Sequence, residues 1–183
     1  MERVALVFVC ALLLAACGNE PTPAPDTRIP DPPRGTREVT VKGTGIRFTA
    51  PFNWPDLEGQ GLRVGGIQNK RATLAIWRYP RSEPLPASDG AVGEAQKRLM
   101  DRVRRRDPRF EVRSSTVARR GGARAIEVVG RQTIGGLPFG VRSSHIFHAG
   151  DEIVVDAYAP PEDFDRVDRT VFEPLLDSLR LSR

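Results

Sequence analysis

Cysteine, histidine and lysine are scarce in this chain, and each scarcity closes off a line of chemistry. The 183 residues contain two cysteines, Cys10 and Cys17, and none further on. Everything after residue 17 therefore lacks a disulfide, a thiolate metal ligand and a thiol nucleophile. The two histidines, His145 and His148, are three residues apart, which in a β-strand places them on opposite faces, so they cannot share one metal ion. Ser143-Ser144-His145 lies in no Gly-x-Ser-x-Gly elbow, and adjacent strand residues point apart, which argues against a serine hydrolase. Lysine supplies three of the 28 basic residues, Lys42, Lys70 and Lys97, and arginine the rest. With abundant Ala, Gly and Pro, that bias is what GC-rich codons produce. The pI near 9.9 and formal charge of +5 therefore do not by themselves indicate nucleic acid, and none is expected as a partner. Acids are interspersed with the bases throughout. No apolar run is long enough to span a bilayer, which takes about 20 residues.

The longest apolar run, Val4 to Ala16, follows a short opening that carries Arg3, and it has the length of a secretory signal core. It ends in Leu14-Ala15-Ala16-Cys17, followed by Gly18. This sequence resembles the lipobox of bacterial lipoproteins. The resemblance implies cleavage between Ala16 and Cys17, with residues 1–16 as the signal peptide. It also implies a diacylglyceryl thioether on Cys17 and a fatty acyl group such as palmitate on its new amino group. Two or more chains make physical sense, because one acyl chain binds a membrane only marginally. The chain is then expected on the extracytoplasmic face of a bacterial membrane, with no cofactor beyond that covalent lipid.

Residues 17–38 read as the lipid-bearing cysteine and a linker. Six prolines and one large aliphatic, Ile29, fall between residues 18 and 38. Such a segment favours extended polyproline II over a core, and at about 3.1 Å per residue it reaches roughly 65 Å. From residue 39 to 183 the pattern becomes that of one domain, expected to fold without the linker. Strands are expected at Val39–Val41 and Ile46–Phe48, more weakly at Leu62–Ile67, and at Ala72–Tyr79, whose two apolar faces suit a central strand. A helix capped by Ser88 or Asp89 runs to Asp107-Pro108, with Val92, Ala95, Leu99 and Val103 inward. Four strands in a meander follow, near 110–118, 123–134, 138–148 and 152–159, turning at glycine-rich sites. A last helix opens at Pro160-Pro161 and turns Phe164, Val167 and Val171 inward. It is expected to kink at Pro174 before Leu175, Leu176 and Leu179. The fold class is α+β: an antiparallel sheet of about 6–8 strands packed with two main helices.

That order of elements, with Phe48-Thr-Ala-Pro51 before Trp54, the Gly121-Gly-Ala-Arg-Ala125 hairpin, and Phe172 to Leu181 containing Ser178-Leu179, resembles the PsbP-like family, bacterial LpqN-type lipoproteins included. The resemblance covers residues 39–181. It implies an α/β/α sandwich and an accessory or interaction role, and no residue here matches a site for photosystem chemistry.

Other features have ordinary explanations. Asp163, Asp165 and Asp168 lack the bend glycine and terminal glutamate of a calcium loop. They read as a solvated helix face with Glu162–Arg166 and Asp165–Arg169 pairs. Gly59-Gln-Gly61 and Gly65-Gly66 belong to no phosphate-binding motif and read as turns or bulges. Trp54, Trp77 and Tyr79 suit core packing better than a ligand platform. In Arg102-Val-Arg-Arg-Arg106, Asp101 can pair with Arg104 and Arg105. Arg102, Arg106 and Arg109 are left as candidate contacts for an anionic surface. No acid–base pair stands out, so the expected function is a non-catalytic binding or interaction module, membrane-anchored, with a protein or envelope component as partner. The alternatives are an envelope enzyme with an unrecognised site, or a binder of anionic lipid or polymer through the Arg-rich helix.

Overall fold

A computed structural model describes residues 28–182, so Ala16 and Cys17 lie outside the described residues. The fold is α+β, and its strands divide between two sheets. β1 (Arg37–Val41), β2 (Ile46–Ala50) and β9 (Arg180–Leu181) form a small antiparallel sheet in the order β1-β2-β9. β3 (Arg63–Asn69), β4 (Ala72–Pro80), β5 (Glu111–Arg120), β6 (Ala123–Ile134), β7 (Leu137–His148) and β8 (Asp151–Ala159) form the main sheet, in the order β3-β4-β8-β7-β6-β5. The meander β5 to β8 forms as the glycine turns require, and β4 joins it through β8. β9 has only two residues, too few to show a period in sequence. It closes the small sheet by pairing Ile46 with Leu181.

Alternation assigns the two faces of the main sheet. On one face Leu74, Ile76, Val155, Ala157, Ile146 and Ala125 are buried. This face packs on the small sheet, on α2 (Pro161–Val167) and on α3 (Glu173–Ser178), with Trp54 edge-on to Phe172 at 6.2 Å. Gly140 matters here because a Cβ at that position would lie 2.2 Å from Phe164 Cγ, so only glycine lets α2 sit down on β7. Between α2 and α3 the chain forms a π-helical turn, Asp168–Phe172. Pro174 then falls in the first turn of α3, where its missing N–H costs nothing. The expected break is thus made by a wide turn ahead of the proline.

α1 (Asp89–Arg106) packs on the opposite face. Ser88 caps it by accepting a bond from the Ala91 amide. Val92, Leu99 and Met100 pack on Ile126 and Val128 of β6. α1 therefore lies over the β5–β6 side of the sheet and leaves β8 and β4 uncovered. Ala72–Tyr79 is an interior strand as expected, between β3 and β8, but Trp77 and Tyr79 are not core residues: they are half-buried on a face no helix covers. Trp54 alone of the three aromatics is fully buried.

The ordered fold also begins before residue 39. Pro30 is buried, and the Asp31 carboxylate accepts from Lys70 at 2.8 Å and from Asn69 at 3.3 Å. Arg34 N–H donates to Asn53, Arg37 pairs with Asp56, and β1 starts at Arg37. The last part of the proline-rich segment is thus held on the domain by polar contacts that hydropathy cannot register.

Candidate functional site

The lateral placement of α1 opens a cleft of about 720 Å³ between that helix and the bare part of the sheet. Its floor is the alternating row of one sheet face. Register puts Tyr79 opposite Glu152, Asp156 opposite Ser143, Val154 opposite His145 and Tyr158 opposite Val141. Val103 and Phe110 form part of the far wall, and Arg102, Arg105 and Arg106 form the lip. A second hollow of about 310 Å³, between α1 and the Glu83–Pro86 loop, meets the cleft at Arg102 and Glu152.

The polar groups of the floor form one hydrogen-bonded chain. Ser143 Oγ donates to Asp156 Oδ1 at 2.6 Å. His145 contacts Ser143 Oγ through Nε2 at 3.3 Å and Glu152 Oε1 through Nδ1 at 2.7 Å. Arg81 approaches the other Glu152 oxygen at 3.5 Å. The His145 bond, outweighing burial, holds the Glu152 carboxyl below the usual range. Burial first, and then Asp156, which accepts from the Tyr158 hydroxyl, push that phenol well up. Burial also raises Tyr79, so both phenols are donors at neutral pH. The one Ser143 proton goes to Asp156, so the Nε2 contact needs a proton on Nε2, and Nδ1 beside a carboxylate needs another.

Ser143, His145 and Glu152 thus stand in the order of a nucleophile, base and acid. Reasoning on adjacent residues overlooked this, because residues i and i+2 share a strand face. Ser144 does point away, buried on the other side. Two features separate the arrangement from a working acyl-transfer site. Ser143 gives its proton to Asp156 and not to the imidazole. β7 is paired along Gly140–His148 with β6 and β8, so its amides serve the ladder and offer no pair of free donors for an oxyanion.

The remaining candidates separate. Arg102 and Arg106 line the cleft together with Arg105, whereas Arg109 lies beyond α1, exposed, with Asp107 at 4.0 Å. Asp101 reaches Arg104 at 3.8 Å. Among the described residues Arg102, Arg105 and Arg106 have no ion pair or hydrogen-bond partner, so Arg105 belongs to the group in place of Arg109. Of the three aspartates of the C-terminal segment, Asp165 is on a solvated face as expected, but Asp163 and Asp168 are buried. Asp163 pairs with Arg166, Asp165 with Arg113, and buried Asp168 takes two bonds of 2.7 Å from Arg142. The expected i,i+4 pairs do not form because Arg166 is taken by Asp163 three residues before it and Asp165 by Arg113 of β5. No three His, Asp or Glu side chains cluster as a metal cage among the described residues. No helix among them is long and apolar enough to cross a membrane.

No family model and no curated protein matches this sequence. Solved structures do share the fold. Cyanobacterial PsbP from Synechocystis sp. PCC 6803 superposes with a TM-score of 0.59 at 13% identity, covering 92% of this chain and 99% of that one. LpqN of Mycobacterium tuberculosis gives 0.58 at 16%, covering 81% and 91%. The Ran-binding protein Mog1p of Saccharomyces cerevisiae gives 0.53 at 9%, covering 81% and 96%. At these identities the likeness is one of fold alone: the chain has a PsbP-like fold.

Proposed function

We propose that this chain is a lipid-anchored module on the extracytoplasmic face of a bacterial membrane, and that it binds a ligand in the α1–sheet cleft without transforming it. The observation that carries the reading is the cleft itself: it lies in the size range of small-molecule sites, with an apolar wall and a few convergent polar groups. The anchor rests on the lipobox-like Leu14–Cys17 sequence. An envelope setting accords with LpqN, described as involved in cell envelope biogenesis. The donated Ser143 proton and the engaged β7 amides favour binding over catalysis. An anionic-surface patch of Arg102, Arg106 and Arg109 is disfavoured, because two of the three face the cleft and the third does not.

Two measurements test this reading. Intact mass of the membrane-extracted protein should start at Cys17 and carry acyl mass, and Cys17→Ser should abolish that mass. An unmodified mature N-terminus elsewhere would refute the anchor. For the cleft, Ser143→Cys places the sole thiol within the folded domain. Ligand-observed NMR of the full chain against a panel of neutral and charged small organic molecules should find binders that N-ethylmaleimide capping of residue 143 excludes. Binding that survives capping, or none at all, would remove the cleft as the site.

A further inference from the structure

Charge accounting in the cleft narrows the ligand. Each acid lining the cleft already has partners: Glu152 has His145 and Arg81, Asp156 has Ser143 and Tyr158, and Asp107 has Arg109 and Gln132. The cations of the lip have none among the described residues. Arg102 is nonetheless near enough to act on Glu152, and Arg106 on both tyrosines. The charge left uncompensated is positive, and it sits on three cleft-lining guanidinium groups at i, i+3 and i+4 of α1. Planar guanidinium forks suit the oxygens of a phosphate and can engage more than one of them.

The space beneath the lip is much larger than a bare phosphate needs. Val103 and Phe110 give the wall an apolar lining, and Val128, Val141 and Val154, themselves nearly fully buried, make the bottom apolar. The occupant that uses both regions has an apolar body and one phosphate.

We infer that the cleft takes a small organic phosphate, its phosphate held by Arg102, Arg105 and Arg106 and its apolar body laid against Val154, Val141 and Phe110. The inference rests on the cleft being a binding site and adds the chemical class. Hydrogen bonds to charged groups lose roughly tenfold or more in affinity when one partner is removed. That scale sets the expected results.

The test is calorimetric titration of the full chain in zwitterionic nanodiscs at about 0.15 M salt, where exposed charges are screened beyond about 8 Å. The probes are 1-naphthyl phosphate, 1-naphthol and inorganic phosphate. Naphthyl phosphate should bind one per chain, about tenfold or more tighter than either fragment. Arg102→Ala, Arg105→Ala and Arg106→Ala should each weaken it about tenfold. Arg104→Ala and Arg113→Ala, on exposed positions outside the cleft, should leave it unchanged. Naphthol binding as tightly as the phosphate would overturn the class while leaving the cleft a binding site. Equal losses at Arg104 or Arg113 would mean diffuse attraction and would also overturn it. Absence of cleft binding by every probe here, together with failure of the capping experiment, would remove the site and the class together.

Discussion

At the scale of single residues, Arg142 organises the interior charge. Its guanidinium gives two bonds to Asp168 and one, of 3.0 Å, to Glu127. Arg120 joins Glu127 to Asp177 of α3. The chain of ions ties β5, β6 and β7 to the C-terminal helices beneath the core face. Removing one member strands buried charge, so Arg142→Ala should lower unfolding free energy by about 3–5 kcal/mol. Arg113→Ala removes an exposed partner of Asp165 and should change it by no more than about 0.5 kcal/mol. Urea midpoints of the two variants check this; similar losses would mean the network is not buried as described. Glu152 sets a pH dependence. Its folded pKa lies below its unfolded value, so its contribution is present above the ordinary glutamate range, 4.5, and is lost as pH falls through the folded value. Urea midpoints should fall on acidification below that range, and less steeply in Glu152→Gln.

At the scale of elements, the N-terminal segment and α1 are the informative parts. A chain starting at residue 28 should melt like the full chain. One starting at residue 39 loses the Asp31 clasp, the Arg37–Asp56 pair and the first residues of β1. Each kcal/mol so lost lowers Tm by about 2–4 °C, and a drop of several degrees is expected in differential scanning calorimetry. Equal melting of the two chains would show the clasp contributes nothing. The meander and α1 were legible in sequence because period-two and period-3.6 patterns with clean caps and turns leave little choice. The break after α2 was legible through Pro174, but not its π-helical form, which depends on seating Asp168 against Arg142 from another element. The starting point of the fold was hidden because Pro30, Asp31 and Arg34 are held by polar contacts, and composition alone marks them as linker.

At the scale of the whole molecule, one layer is nearly complete and the other is not. The C-terminal helices and the small sheet cover one face of the main sheet except at its β5 edge, while a single helix covers half of the other. Sequence pattern shows that α1 has one apolar stripe, but not where across six strands that stripe lands. For that reason Tyr79, Ser143, His145 and Arg105 were not legible as neighbours, and Arg109 was grouped with residues it does not join. The uncovered half-face is the proposed working surface, and with the proposed anchor it would face away from the cytoplasm. One measurement tests both points: the labelling rate of Ser143→Cys by a membrane-impermeant maleimide, in cells with an opened outer barrier and an intact cytoplasmic membrane, against the purified protein. The account predicts that the thiol is labelled without breaking the cytoplasmic membrane, and more slowly than in the purified chain because the cleft is occupied. Labelling only after lysis of the cytoplasm, or at the same rate in both settings, would contradict it.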